Sequence, residues 1–262
     1  KVPPMTSNFA LGIDIGGSGI KGAVVDLAAG DFATERLRID TPQESTPANV
    51  AAVVGEIVDG FADQLGDGPI GVTIPAIVQH GVTLSAANIH ESWVNCPAEK
   101  IFEDALGRDV VLVNDADAAG VAEVQFGAAK GNPGLVIMTT LGTGIGSAII
   151  YRGVLIPNSE LGHLEIDGFD AEKRAAASAR ERENLSWPDY IARLQRYYET
   201  VEFLFSPDLF VVGGGVSKKA DKFLPQLKLR TPIVPATLQN RAGIIGAAAL
   251  AVDKSAHPDL VR

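Results

Sequence analysis

The chain contains very little cysteine and few basic residues. Of its 262 residues only Cys96 is a cysteine, and 22 Lys and Arg stand against 32 Asp and Glu, which gives a net charge of −10. A single cysteine excludes a disulfide framework and a cysteine-based zinc cluster. The acidic balance argues against general binding to nucleic acids or anionic membranes.

Long apolar runs are also missing. No run reaches the roughly 18 residues of a membrane-spanning helix, and residues 1–8 contain no apolar signal core. We therefore expect a cytoplasmic protein with no nucleic-acid partner and no membrane partner. The hydrophobic content of 46% is enough for a substantial core.

Hydrophobic spacing predicts alternating strands and helices, and so an α/β protein. Strands are predicted over residues 9–14, 20–27, 32–39, 69–75, 110–113, 135–140, 145–151 and 209–212, with a hairpin over 78–84. Helices are predicted over residues 49–65, 97–106, 116–126, 172–183, 187–205 and 240–251.

A glycine-rich stretch lies between the first two predicted strands. Asp14 precedes it, Lys21 follows it, and it consists of Gly16, Gly17, Ser18 and Gly19. Glycines let backbone N–H groups surround an anion, and a neighbouring carboxylate can hold Mg²⁺ directly or through water. The spacing is neither that of a Walker loop nor that of a dinucleotide fingerprint. On the residues alone, a phosphate loop and a plain hairpin turn both remain open.

Residues 13–25 resemble residues 139–150, because each segment is an apolar strand, a Gly/Ser/Thr loop and a second apolar strand. The second loop is Gly142, Thr143 and Gly144. This repeat predicts a duplicated architecture. A ligand carrying phosphates would then lie in a cleft between the halves and touch both loops.

Further segments, in the same order along the chain, resemble the ROK sugar kinases of the actin–hexokinase–Hsp70 superfamily. The matching segments are residues 14–21, 88–89 with Trp93, 114–116, 141–146, 160–163, 211–216 and 243–246. The resemblance implies a two-lobed, actin-like ATPase (ribonuclease H-like) fold with duplicated βββαβα-type halves and a cleft between them. It implies a small lobe over residues 8–113 plus the helix 240–252, and a large lobe over 114–239 with the catalytic aspartate, the second phosphate loop and the sugar-binding segment.

One segment departs from the wider family. ROK proteins follow Glu-x-Gly-His with a cysteine-rich zinc segment, whereas residues 166–174 contain no cysteine, so no zinc site is expected although His163 remains. Residues 166–174, which stand in place of the zinc segment, resemble the corresponding segment of the polyphosphate-using glucokinases and glucomannokinases of the family. Residues 185–187 and 204–219 resemble the same enzymes. The activity so implied is transfer of a phosphoryl group from inorganic polyphosphate, and from ATP, to the 6-hydroxyl of glucose, with mannose left open as a second acceptor.

The resemblance also assigns roles to individual residues. Asp115 would be the catalytic base. The hexose would be bound by Asn88, Asn114, Asp115, Glu160, His163 and Glu172. The donor phosphates would be bound by Asp14, Gly16, Gly17, Ser18, Gly19, Lys21, Gly142, Thr143, Gly144, Gly214 and Gly215. Lys218 and Lys219 are added by their charge, as further candidates for binding a polyphosphate donor. Mg²⁺ would be held by Asp14, directly or through water, and relatives suggest a homodimer.

Each assignment has a structural alternative. Asp115 is also a common N-cap for the helix that follows it, and Glu172 can be a charge in the first turn of a helix. His163 can be a packed loop histidine and Asn88 a turn residue. Lys21 can face solvent on an edge strand, and residues 213–215 can be a tight strand-to-helix turn.

Charge is unevenly distributed. Residues 173–230 hold eleven basic and seven acidic side chains, while the rest of the chain holds eleven basic and 25 acidic ones. Such a segment can guide a polyanion, or it can simply supply solvated helix faces.

Two other functions are weighed against this activity. The nearest is an ATP-dependent glucokinase, or another hexose or N-acetylhexosamine kinase of the same fold. A sugar-responsive regulator would carry an added N-terminal helix-turn-helix segment. Only about eight residues precede the first predicted strand, so this function is not expected.

Overall fold

A computed structural model describes residues 8–86 and 89–256. It contains two compact units. The first comprises the chain up to Ala122 together with the part from Asn240 onward, and the second comprises Glu123–Gln239. These units divide between Ala122 and Glu123, inside a helix. The lobe boundary expected at residue 114 stays a prediction.

Strands and helices alternate as expected. The strands are β1 (Phe9–Ile15), β2 (Ile20–Asp26), β3 (Asp31–Phe32), β4 (Leu37–Ile39), β5 (Ile70–Ile74), β6 (Val78–Gln79), β7 (Val82–Thr83), β8 (Val111–Asn114), β9 (Leu135–Leu141), β10 (Ile145–Tyr151), β11 (Val154–Ile156), β12 (Glu165–Ile166), β13 (Phe169–Asp170), β14 (Leu209–Gly213) and β15 (Ile233–Pro235). The α-helices are α1 (Pro47–Gly60), α2 (Ala62–Leu65), α3 (Ala98–Leu106), α4 (Asp115–Gln125), α5 (Ala171–Ala175), α6 (Ala177–Arg182), α7 (Trp187–Phe205) and α8 (Ala242–Ala256).

The sheet of the first unit has the order β3-β2-β1-β5-β8, and β4 also pairs with β2. Strands β1 and β2 are antiparallel, which places Asp14 opposite Lys21, while β1, β5 and β8 are parallel. Helix α8 approaches β1 so closely that a Cβ on Gly12 would overlap the backbone of Ile244. Glycine is therefore required at this position for the helix to pack on the sheet.

The sheet of the second unit has the order β11-β10-β9-β14-β15. Strands β9 and β10 are antiparallel, and β9, β14 and β15 are parallel. This is the pattern of the first sheet, with β9 and β10 in the places of β1 and β2. The duplicated α/β architecture predicted from the repeat is confirmed.

Three predicted elements are interrupted. The strand predicted over 32–39 is two short strands, β3 and β4. Between them the Val24 N–H donates to the Thr34 hydroxyl instead of to a backbone carbonyl, so the backbone pairing with β2 is interrupted. The helix over 49–65 breaks at Phe61, which is buried and has non-helical backbone angles. The helix over 172–183 breaks at Ala176, where the backbone is extended.

Helix boundaries follow their local signals elsewhere. Thr46 caps α1 and Ser186 caps α7, each accepting from a backbone N–H three residues on. The buried stripe of α7 includes Tyr190, Leu194 and Tyr198. Asn240 was expected to cap the last helix; it lies instead in a 3-10 turn over Gln239–Arg241, and α8 begins at Ala242. In the part of the chain that is described, no helix combines the length and the apolar character needed to cross a membrane.

Candidate functional site

The first glycine loop is a tight turn that its neighbours hold in place. The Gly16 N–H donates to the Gly19 carbonyl at 3.2 Å, which closes the β1–β2 hairpin. The Arg38 guanidinium donates to the Ser18 carbonyl at 2.9 Å, and the Thr41 hydroxyl donates to the Gly16 carbonyl. These contacts fix the shape of the loop, as an anion-binding turn requires.

Asp14 and Lys21 flank this loop as a loose pair. The Thr73 hydroxyl donates to Asp14 Oδ1 at 2.9 Å, and Asp14 Oδ2 lies 3.8 Å from Lys21 Nζ. Both side chains are about one quarter exposed, at 25% and 27%. A partly exposed carboxylate that is fixed on one oxygen suits Mg²⁺, which usually takes one or two protein carboxylates together with phosphate oxygens and water. The residues present therefore fit the ion.

The junction of β8 and α4 orients Asp115. The buried Asn114 amide donates to the Ala76 carbonyl at 3.1 Å, and its Oδ1 accepts from the backbone N–H groups of Ala116 and Asp117 at 2.9 and 3.1 Å. Asn114 thus supplies the cap that was considered for Asp115. Asp115 is half-buried in the first turn, where its Oδ1 accepts from the Ala116 N–H at 2.8 Å.

The second glycine loop also closes a hairpin, with three residues between its strands where the first loop has four. The Gly142 N–H donates to the Gly144 carbonyl at 3.0 Å. Glu172 Oε2 accepts from the Ile145 N–H at 3.1 Å, so this carboxylate lies against the loop instead of only facing solvent in α5. Ser178 donates twice to the loop, from its N–H to the Gly142 carbonyl and from its hydroxyl to the Thr143 carbonyl.

Glu160 directly precedes a 3-10 turn over Leu161–His163, and His163 is the last residue of that turn. A Cβ on Gly162 would overlap the Ile145 carbonyl, so the turn needs glycine to approach β10. Burial raises the pKa of the Glu160 carboxyl, and the nearby His163 partly opposes this effect. A hydrogen bond to Asp170 raises the pKa of His163.

Asp170 is a residue of this cluster that the sequence reasoning missed. Its Oδ2 lies 3.0 Å from His163 Nδ1, and its Oδ1 accepts from the Glu172 N–H at 3.2 Å, which caps α5. An aspartate directly before a helix is a standard N-cap signal and could have identified it. His163, Asp170 and Glu172 place ligand atoms within 4.8 Å of one another and so could contact one cation. The expected absence of zinc rests on the missing cysteines and stays a prediction.

The glycines after β14 form a tight turn. Gly214 has a φ of 81°, and a Cβ there would overlap the backbone of Leu141. Gly215 lines a cavity of about 230 Å³ together with Gly142, Thr143 and Lys219. Lys218 is exposed and is not among the lining residues. Asn88 lies outside the described residues.

Ion pairs neutralise part of the basic segment. Arg182 and Arg193 both bind Glu183 at 3.1 and 2.6 Å, and the hydrogen bond from Arg193 lowers the pKa of that carboxyl to about 2. Arg196 binds Asp167 at 2.8 Å. The segment therefore presents fewer unpaired cations than its composition suggests.

Comparison with known proteins places this site in a family. The family model for the ROK family matches residues 10–177. The chain belongs to the ROK family. It is 49% identical over 253 residues to a polyphosphate glucokinase of Mycobacterium tuberculosis, a match that covers 96% of this chain and 94% of the relative.

Two solved structures of this family have the same fold. The inorganic polyphosphate/ATP-glucomannokinase of an Arthrobacter species superimposes with a TM-score of 0.88 at 55% identity, over 94% of this chain and 99% of that one. The ROK hexokinase of Thermus thermophilus gives a TM-score of 0.77 at 25% identity, over 95% and 99%. The actin-like ROK fold expected from the sequence is confirmed.

Proposed function

We propose that this protein transfers the terminal phosphoryl group of inorganic polyphosphate, and also of ATP, to the 6-hydroxyl of glucose. The observation that carries this proposal is the 49% identity to a polyphosphate glucokinase over nearly the whole length of both chains. The two matched glycine hairpins support phosphoryl transfer but do not by themselves select a donor.

In this proposal Asp115 is the base. As the oxygen of the 6-hydroxyl bonds to the terminal phosphorus, its proton passes to the Asp115 carboxylate, and the bridging oxygen leaves with the shortened polyphosphate or with ADP. The Asn114 cap holds the backbone of this turn and so fixes where the carboxylate lies. Such positioning is the main contribution that a protein makes to phosphoryl transfer.

Glu160, His163 and Glu172 are proposed to bind the remaining hydroxyls of the sugar, with Asn88 and Asn114 as further ligands. The hydrogen bonds of Asp170 and Ile145 restrict His163 and Glu172 before the sugar arrives. A preorganised site of this kind loses less conformational freedom when it binds. The glucomannokinase relative supports mannose as a second acceptor.

The phosphate chain is proposed to bind at the two glycine loops. Lys21 neutralises charge on the transferred phosphate, while Gly142, Thr143, Gly144 and the glycines after β14 hold the distal part of the donor. Mg²⁺, held through Asp14, would supply further neutralisation of phosphate charge when bound. A cytoplasmic location agrees with the single cysteine, and a homodimer stays a prediction.

The test is a coupled assay of glucose 6-phosphate with purified protein. Polyphosphate of defined length, ATP and no donor are compared, each with glucose and with mannose as acceptor. We expect product from glucose with polyphosphate and with ATP. If glucose were phosphorylated with ATP but not with polyphosphate, the protein would be an ATP-dependent glucokinase. If glucose gave no product with either donor, the proposal would be refuted.

A further inference from the structure

A cavity beside the second glycine loop is lined by an arginine, Arg180, to which the proposed function gives no role. Its walls come from the loop, from α6, from the start of α7 and from the turn after β14, all within the second unit. At about 230 Å³ it is smaller than the 300–1,000 Å³ typical of pockets for small organic molecules.

Arg180 and Trp187 form one side of this cavity. The guanidinium carbon of Arg180 lies 4.2 Å from the centroid of the Trp187 ring. Trp187 also stacks parallel to Phe223, with 6.0 Å between ring centroids and 4° between planes. The indole is therefore fixed by its neighbours, and Arg180 covers part of its face through a cation–π contact.

One donor of the Arg180 guanidinium is buried beside the cavity. Its Nε is buried and has no hydrogen-bond partner among residues 8–86 and 89–256. Nearby arginines differ in this respect, since Arg182 and Arg193 bind Glu183 and Arg196 binds Asp167. A buried donor without a partner is unfavourable unless a ligand or ordered water meets it.

The charge around Arg180 favours an anion. Lys219 lines the same cavity, and Lys222 Nζ lies 5.9 Å from the Trp187 ring. Among the described residues that line the cavity, Glu181 is the one acidic side chain. The group thus carries more positive than negative charge at the place where the distal part of the donor is proposed to bind.

We propose that Arg180 is a donor-specificity residue that favours inorganic polyphosphate over ATP. This inference rests on the proposed function. Polyphosphate carries negative charge along its whole length, whereas the distal part of ATP is a ribose and an uncharged base. Arg180 can donate its planar N–H groups to phosphate oxygens, and it covers an indole face on which a base would otherwise stack.

The experiment compares Arg180→Met with Arg180→Lys and with Arg182→Met. The first removes the charge but keeps an apolar side chain on Trp187, and the second keeps the charge without the fork of donors. Arg182 is a matched control, because it lies two residues away in α6 and binds Glu183 outside the cavity. Thermal midpoints establish that each variant is folded.

Arg180→Met is expected to lower kcat/KM for polyphosphate about 10- to 100-fold, the range of a lost charge-assisted hydrogen bond, and to leave kcat/KM for ATP unchanged or higher. Arg180→Lys should lie between this variant and the unmodified protein. The KM for polyphosphate should also depend less steeply on salt in Arg180→Met, because one fewer cation contacts the polyanion. A merely structural role would not move this slope.

Equal losses with both donors, or no loss with polyphosphate, would overturn the inference. An equal loss in Arg182→Met would overturn it too, because diffuse attraction by the basic segment would then explain donor choice. The proposed function is tested separately by the unmodified protein. If that protein used ATP alone, the polyphosphate assignment would fail and this inference would fail with it.

Discussion

Replacing Asp170 tests how the sugar-binding side chains are held. Asp170→Ala removes the acceptor at 3.0 Å from His163 Nδ1 and the cap that accepts from the Glu172 N–H. Asp170→Asn keeps a capping oxygen, since asparagine is as good an N-cap as aspartate, but it removes the charge beside His163. The two variants therefore separate the cap from the charge.

The expected loss of stability follows from the lost N-cap and from the exposed fractions of the His163 and Asp170 side chains. Loss of an N-cap destabilises a protein by about 1 kcal/mol. The His163–Asp170 pair is exposed by 55% and 27%, so it adds at most about 1 kcal/mol. Asp170→Ala should thus lose about 1–2 kcal/mol of unfolding free energy, and Asp170→Asn clearly less. A misaligned His163 worth about 1 kcal/mol would raise the KM for glucose about fivefold in both variants.

The assays are urea unfolding, glucose kinetics at saturating donor, and an NMR titration of His163 in chelator-treated protein. Because Asp170 raises the pKa of His163, both variants should move that pKa back toward its ordinary value. The His163 signal is assigned by its loss in His163→Gln. An unchanged KM for glucose together with an unchanged His163 pKa in Asp170→Ala would refute the reasoning.

Three further predictions have definite signs. Since burial raises the pKa of Glu160, its ionised form is disfavoured in the fold, and Glu160→Gln should increase the unfolding free energy at pH 7. This advantage should shrink as the pH falls from the raised pKa of the folded state toward the ordinary pKa of about 4.3, and it should be absent below that pH. The variant should still raise the KM for glucose. A destabilised variant at pH 7 would contradict this. Gly214→Ala should destabilise the protein by about 1–3 kcal/mol in thermal or urea unfolding, because φ is 81° and a Cβ would meet Leu141. Gly215→Ala is the control and should be nearly neutral, because a Cβ there would meet open space. Similar losses of stability in the two variants would contradict this prediction. Lys21→Met should lower kcat/KM for polyphosphate and for ATP by similar factors, and a loss with one donor only would contradict its place at the transferred phosphate.

Much of the architecture follows from local patterns. Helix α7 has the predicted bounds because a serine cap, a proline in the first turn and a continuous apolar stripe all agree. The repeat of residues 13–25 at 139–150 predicted two hairpins, and the two sheets built on them share one strand order. In both cases each element could be predicted from the residues of its own segment.

Other features depend on contacts that sequence spacing does not record. The break at Ala176 goes with two hydrogen bonds from Ser178 to a loop more than thirty residues earlier in the chain. The β12–β13 hairpin has strands of two residues each, too short for a period of two to be seen. Asp170 ends that hairpin, and its contact with His163 needs the folded turn.

Some residues of the candidate site could be predicted from the sequence, and others depend on contacts in the folded protein. The glycine loops, Asp14 and Asp115 could be identified from motifs, and the resemblance to sugar kinases supplied the roles. The capping function of Asn114 was missed because an Asn and an Asp stood side by side, and the choice between them depends on side-chain geometry. The Arg180 Nε, which has no hydrogen-bond partner in the part of the chain that the structure describes, could not be identified from the sequence, because its burial depends on Trp187 and the cavity wall.

The most direct test of the account is Asp115→Asn. Asparagine has nearly the same size and can still accept from the Ala116 N–H, but it is not a base. The account predicts that kcat for glucose 6-phosphate formation falls by about 10²–10⁴, the range of general-base catalysis, with polyphosphate and with ATP alike. Calorimetry should show a Kd for glucose within about threefold of that of the unmodified protein, a small free-energy change. Turnover near that of the unmodified protein would contradict the assignment of Asp115 as the base.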